Sequence, residues 1–394
     1  MAFLRPIFMR SEARGLLTII FFFWAFFLLA SSCQGSASVK IGALLDLSGP
    51  LSVQGTAAYK AIRYAVEDIN LQGGIMGRPI EIIVFDTMSD PTKLLEGASR
   101  LEAEGVMAFL GPTAPKNCLI LRRYAENHHI PLVLIAGSSP ILTFSGIKTK
   151  WTFSVTLNFA SELKALFSLF QKRGYESIGV LVQTGDFYRE LFLWIRGYAP
   201  EYGLSISCAE GFNLNREDIS RKLSWLNRCD PDVGLIWANS KAKEPVFETL
   251  DRVDLPLGLA HTLFPQDMAY DANATAKLVF VAIPRVLAPA GLKKNLSFVA
   301  RNFLARFDKD FPSMTFGSKL CAVQAWDGIC VIAHAMRSFK VNGRRSLRNA
   351  LESGVRAYYG VTGTFHFDKR DHSGLDPSSL LLLRFFGNHW SWVR

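Results

Sequence analysis

The sequence lacks the short patterns that common hydrolytic and nucleotide chemistry depends on. It has no G-x-S-x-G elbow, no phosphate-binding P-loop and no H-E-x-x-H pair. Cysteine is sparse, six in 394 residues, and none stands in C-x-x-C or mixed cysteine–histidine spacing, which argues against a zinc site. No metal, no cofactor and no enzymatic activity are expected. Acidic residues are outnumbered, 34 against 44 lysines and arginines. The resulting charge of +10 is scattered along the chain without interleaved aromatics. It therefore reads as solvated surface, and no nucleic acid is expected as a partner. Low-complexity linkers and solenoid-length repeats are missing too. With 394 residues the chain is too long for one ordinary core. Two lobes that exchange several crossings suit it better than two beads on a string.

Long apolar runs are confined to the N-terminus. Arg5, Arg10 and Arg14 precede Leu16 to Ala30, which is apolar except for Thr18. That length suits a secretory h-region of about 7–15 residues better than a spanning helix of about 20, so residues 1–32 are expected to be a signal peptide. The run ends in Ala30-Ser31-Ser32-Cys33, which looks like a lipobox with Cys33 as the lipidated mature N-terminus. Ordinary signal-peptidase cleavage nearby and retention as an anchor are the alternatives. Residues 1–32 hold three arginines and one glutamate, leaving +8 beyond them. Export would place the five remaining cysteines in an oxidising compartment. Cys321 and Cys330 lie nine apart on one predicted helix, out of phase, and cannot bridge each other. Cys208 and Cys229 fall near the ends of neighbouring elements, where they either pair or remain thiols.

From Val39 onward short apolar runs alternate with helical patterns. Val39 to Leu45, Ile80 to Phe85, Val106 to Leu110 and Leu132 to Ile135 read as strands. Between the first two, Ala57, Ala58, Ala61, Ile62, Ala65, Val66 and Ile69 recur at helical spacing, and Asp90-Pro91 caps the next helix. Strand–helix alternation implies a parallel sheet with right-handed crossovers. A second series follows: a helix that Ser161 is expected to cap, strands at Ser177 to Val182, Leu204 to Ala209, Val233 to Trp237 and Lys277 to Ile283, and two long helices at about 296–311 and 318–339. The tail reads as a hairpin of Gly360 to Phe367 with Leu380 to Phe386.

In open parallel sheets ligands bind beyond the carboxyl ends of strands, beside helix N-termini. That rule selects residues 46–55, 111–116 and 136–140 in the first half, and 183–188, 238–240 and 260–264 in the second. Asp46 and Asp86 end adjacent strands and read as turn chemistry rather than a catalytic pair.

The resemblance becomes specific in a collinear set of motifs. These are Ile41-Gly42, Ser48-Gly49-Pro50, AVEDINLQGG from Ala65, Gly77-Arg78-Pro79-Ile80, Asp90-Pro91, Gly111-Pro112, Ile130-Pro131-Leu132, Gly137-Ser138-Ser139, Asp218-Ile219-Ser220, Pro231-Asp232-Val233, Gln324-Ala325-Trp326-Asp327-Gly328 and Gly363-Thr364-Phe365-His366-Phe367-Asp368. From about residue 39 to the end, the chain resembles the leucine/isoleucine/valine-binding family of periplasmic substrate-binding proteins. The resemblance implies an α/β fold of two doubly wound parallel-sheet lobes joined by a three-strand hinge that closes around ligand. The N-terminal lobe is expected at 39–156 plus 284–362 and the C-terminal lobe at 157–283 plus 363–394. It further implies an exported solute-binding protein serving the permease subunits of an ABC transporter, held at the membrane through Cys33. The alternative is a ligand-sensing lobe for a separate signalling partner.

Carried over residue by residue, the resemblance puts the ligand carboxylate against Pro112, Thr113, Ala136, Ser138 and Ser139, with Lys116 as an added charge. The same hydroxyl residues serve equally well in turns and caps. Gln54 stands where the family often has an aromatic residue. Asp186, Phe187 and Tyr188 replace a usual Asp-x-Tyr-Gly, and Asn239 and Thr262 complete the second lobe's edge. Amino-acid binders place a carboxylate after the following strand to pair the ligand ammonium. The corresponding residues 260–264 contain no acid before Asp267, so the expected ligand is a small polar molecule or carboxylate other than a free α-amino acid, unless Asp186 or Asp267 substitutes.

Overall fold

Val39–Leu45 (β1) is apolar apart from Lys40 and is buried along nearly its whole length, the signature of a central strand covered on both faces. The computed structural model describes residues 37–137, 149–185, 188–264, 278–293, 295–386 and 389–393. Cys33 with its apolar run, Ser138, Ser139, Asp186, Phe187 and Asp267 lie outside the described residues. None of the described helices is long and apolar enough to cross a membrane.

β1 pairs in parallel with Ile80–Asp86 (β2) on one side and Phe109–Leu110 (β3) on the other. Leu132–Leu134 (β4) and Thr152–Ser154 (β5) continue the sheet in parallel, in the order β2-β1-β3-β4-β5. Ser52–Leu71 (α1) covers one face. The other face takes Pro91–Ala103 (α2) and Cys118–His128 (α3), whose Leu94, Leu101, Leu121 and Ala125 pack on Leu44, Phe109 and Leu132. Asp90 caps α2 by accepting from the amides of Thr92 and Lys93, with Pro91 in the first turn, as the sequence predicts.

After β5 the chain enters a second unit through residues 155–158. Phe159–Lys172 (α4) is capped by Asn158, not by the expected Ser161, whose hydroxyl donates instead to the Leu375 carbonyl. Ser177–Gln183 (β6), Ser205–Phe212 (β7), Val233–Trp237 (β8), Leu257–Leu259 (β9) and Val279–Pro284 (β10) form parallel pairs. Tyr188–Tyr198 (α5), Arg216–Arg228 (α6) and the short Lys243–Phe247 (α7) lie among them. One face packs on α4 and α5, the other on α6 and α7. Cys208 of β7 and Cys229 at the end of α6 are disulfide-bonded.

The chain then returns to the first unit. Phe298–Asp310 (α8), Phe316–Ser338 (α9) and Arg344–Gly354 (α10) cover the first sheet, with α9 packed along α1 and against β3 and β4. The tail departs from the expected hairpin. Arg356–Tyr359 (β11), Thr364–His366 (β12) and Gly374–Leu375 (β13) form a small antiparallel sheet of their own. Leu380–Phe386 (β14) joins the second sheet antiparallel to β10, followed by His389–Trp392 (β15). The cause is tertiary. The Asp327 carboxylate on α9 accepts from the amides of Val361 and Thr362, each at 2.7 Å, and the Ser154 amide of β5 donates to His372 O at 2.8 Å. Those contacts hold the chain on the first sheet until residues 376–379, beyond the boundary expected at 362–363. The second sheet, in the order β15-β14-β10-β9-β8-β6-β7, is thus mixed at one edge. The main chain passes between the sheets three times: at 155–158, between Pro284 and Phe298, and at 376–379.

Candidate ligand site at the strand ends

At the carboxyl edge of the first sheet the loops are tied together through two aspartates. Asp46, fully buried, accepts from the Thr87 hydroxyl at 2.5 Å, the Ser89 amide at 2.6 Å and the Thr113 hydroxyl at 2.7 Å. The Asp46 amide in turn donates to Thr113 Oγ1 at 2.9 Å. Asp86 gathers the amides of Leu47, Ser48 and Met88 and the Ser48 hydroxyl. Burial raises its carboxyl, and those hydrogen bonds outweigh burial and hold it below the usual carboxylate range. Both acids are therefore braces for turns. Gly55 lets α1 start directly over this brace, since a Cβ there would stand 1.9 Å from the Asp46 carbonyl oxygen. Gly111, at φ +132°, likewise brings the loop after β3 against Leu44.

Those expected site residues of this lobe that are described, Gln54, Pro112, Thr113 and Ala136, lie on the loops and helix start that follow β1, β3 and β4. Pro112 is buried and Thr113 is only 4% exposed, with its hydroxyl committed to Asp46. What Thr113 can offer a ligand is its amide, which has no partner among the described residues. The Cys118 thiol lies near both the Ala114 and Ala136 carbonyls, so the loops after β3 and β4 are adjacent. Gln54 is half-buried on the first turn of α1, and Lys116 is exposed. Asn117, which sequence reasoning passed over, is completely buried, and neither of its amide atoms has a hydrogen-bond partner among the described residues.

At the edge of the second sheet the structure brings Gln183, Asn239 and Thr262 together. The Asn239 amide donates to Gln183 Oε1 at 2.9 Å, and the Thr262 hydroxyl donates to the Ala238 carbonyl. Asn239 Oδ1 accepts from the Lys241 amide. Tyr188 starts α5 half-buried, its ring stacked at 6.5 Å on Phe192. No acid follows β9 within 260–264, yet one arrives from elsewhere. Glu162, in the first turn of α4, is fully buried and accepts the His261 amide, with Oε2 2.8 Å from His261 Nδ1. Burial pushes its carboxyl above the usual range, opposed by the imidazole. The partners are 99 residues apart in sequence, so no local motif could have disclosed the pair. Phe316, at the start of α9, packs on His261 and Phe264 and links this edge to the other lobe. The described residues hold no cluster of three or more metal-ligating side chains.

A family model described as "Periplasmic binding protein" matches residues 38–383. Leu/Ile/Val-binding protein homolog 7 of Brucella suis is 22% identical over 215 residues, covering 53% of this chain and 54% of that protein. A leucine-, isoleucine-, valine-, threonine- and alanine-binding protein of Pseudomonas aeruginosa is 20% identical over 222 residues, covering 54% and 59%. The match spans little more than half the length of these curated relatives. Among solved structures, a type 1 periplasmic binding protein of Bordetella pertussis superposes with TM-score 0.71 at 17% identity, covering 90% of this chain and 99% of that one. The branched-chain amino acid transporter substrate-binding protein of Streptococcus pneumoniae, solved with isoleucine, gives 0.65 at 18% identity, covering 90% and 98%. These relatives are binding proteins, not enzymes.

Proposed function

The chain belongs to the periplasmic binding protein family, and on that premise we propose that it is the extracytoplasmic solute receptor of an ABC transporter. Its ligand, in this reading, is a small polar or carboxylate-bearing molecule closed between the two lobes. The observation that carries the reading is the pairing of two strand-end edges across three chain crossings, each lined with short loops and helix starts. Backbone amides at such edges suit a carboxylate. The first lobe would supply the 111–114 and 136–139 loops with Gln54. The second would supply residues 183–188, Asn239 and Thr262. Residues 1–32 would direct export, with Cys33 as a lipid anchor and permease subunits as partners.

The test is a thermal-shift screen of the purified protein against amino acids, small amides and organic acids. A ligand at a hundredfold its dissociation constant adds about 2.7 kcal/mol, enough to raise Tm by several degrees. A library without a single member that shifts Tm would count against the reading.

A further inference from the structure

The end of the first sheet where β1, β2, β3 and β5 begin lies opposite the proposed solute site and carries excess positive charge. Three of its acids are taken by arginines: Glu102 pairs with Arg344, Glu104 with Arg100 and Glu352 with Arg348. Glu126, Asp368 and Asp371 accept from backbone amides. Lys150, Lys340, Arg345, Arg356, Lys369 and Arg370 are exposed, and none forms an ion pair among the described residues. The contacts of this end keep them together. Arg344 donates to the Val106 carbonyl ahead of β3, Arg348 to the Lys150 carbonyl ahead of β5, and the Phe367 amide to the Val355 carbonyl.

The chain also arrives here from Cys33. Arg78, ahead of β2, donates to the Ala37 and Ser38 carbonyls at 2.6 and 3.2 Å and so pins the start of β1 to this edge. The four residues from Cys33 to Ala37 reach at most about 14 Å. Beside that point apolar side chains face solvent: Leu71 is 87% exposed and Met76 67%. Arg337 ties the end of α9 to the same turn through the Gly74 and Ile69 carbonyls, which brings the half-exposed Phe339 alongside. Apolar side chains among lysines and arginines match the boundary of an anionic bilayer. There each cation near the surface adds about fivefold in affinity, and apolar groups bury at the acyl boundary.

We propose that this amino-terminal edge of the first sheet is a docking face for an anionic phospholipid bilayer, with Leu71 and Met76 entering the headgroup layer and Lys340, Arg345 and Lys369 meeting the phosphates. The inference rests on the reading of Cys33 as the anchor, since so short a tether holds this edge against the membrane. The solute edge lies at the opposite ends of the same strands, so a bilayer here leaves it open.

The test mixes the polypeptide 34–394, which carries every described element of the fold, with vesicles of phosphatidylglycerol and phosphatidylcholine, or of phosphatidylcholine alone. Co-sedimentation is expected with the anionic vesicles only, and is lost in about 0.5 M salt. The triple variant Lys340→Glu, Arg345→Glu, Lys369→Glu should bind at least about a hundredfold more weakly. Lys172→Glu, Arg196→Glu, Arg228→Glu, at the ends of α4, α5 and α6 in the second unit, should stay within about fivefold of the wild type. Peroxide oxidation of the vesicle-bound wild type reads the contact directly. Met76 should slow at least about threefold, while Met88, 48% exposed beyond β2 at the other end, keeps its rate. Equal binding to both vesicles, binding to neither, equal loss in the two triples, or protection of Met88 rather than Met76 overturns the docking face. Should a triple variant fail to fold, the two methionine rates decide alone. The mass of the protein extracted from membranes checks the anchor separately: an unmodified Cys33 with a protected Met76 removes the anchor and leaves the docking face.

Discussion

Replacing Thr113 by valine is expected to destabilise the unliganded protein, because the hydroxyl is a brace before it is anything else. Oγ1 accepts from the Asp46 amide at 2.9 Å and donates to Asp46 Oδ2 at 2.7 Å, with both residues buried. Valine nearly conserves the volume, so no cavity is made. It leaves a buried amide without an acceptor, about 1–3 kcal/mol, and removes a hydrogen bond to a carboxylate, about 1.5–3 kcal/mol. The carboxylate keeps Thr87 and Ser89 as donors, which favours the lower part of each range and a total of about 3 kcal/mol. At about 2–4 °C per kcal/mol for a unit of 150–250 residues, Tm falls by about 6–12 °C. Thr113→Ser, which keeps the hydroxyl, should lose about 1 kcal/mol, the value of a buried methyl group. Thermal unfolding without ligand is the assay. A valine variant that melts with the wild type yet binds ligand more weakly would show that the hydroxyl serves the ligand and not Asp46.

Two further outcomes follow from groups away from the cleft. Reducing the Cys208–Cys229 bond opens a loop of sequence separation 21, worth about 3 kcal/mol on the chain-entropy account. Dithiothreitol should therefore lower the wild-type Tm by several degrees and leave a Cys208→Ser, Cys229→Ser double variant unchanged; equal wild-type Tm with and without reductant contradicts this. Burial pushes the Asp327 carboxyl from 3.8 up to about 6, against the lowering effect of the Thr362 and Val361 hydrogen bonds. The native state then binds more protons than the unfolded chain between those values, so stability falls as pH rises through that window, by about 3 kcal/mol. Unfolding free energies of the wild type minus Asp327→Asn should drop by that amount between about pH 4 and pH 7. A pH-independent difference refutes it.

What the sequence disclosed and what it withheld divide along sequence distance. β1 was legible because a run of buried residues needs only itself, and the start of α2 because Asp90-Pro91 is a local device. Helix α10 was missed because RRSLRNALESG buries only Leu347, Ala350, Leu351 and Glu352, too few apolar positions to stand out among arginines. The tail was misread because β14 finds β10 about a hundred residues back while Asp327 and β5 retain the preceding strands. The strand-end rule selects loops that follow strands, and it needs only the strand pattern to do so. The commitments of their side chains were not legible, since Thr113 meets Asp46 across 67 residues and Glu162 meets His261 across 99. A search for an acid confined to residues 260–267 could not find one that enters from another helix.

The central claim is that two strand-end edges close on a solute about three chain crossings. Small-angle scattering of the purified protein, with and without a saturating ligand from the screen, tests it most directly. The account predicts a smaller radius of gyration with ligand bound. Saturated binding with an unchanged radius of gyration would contradict it.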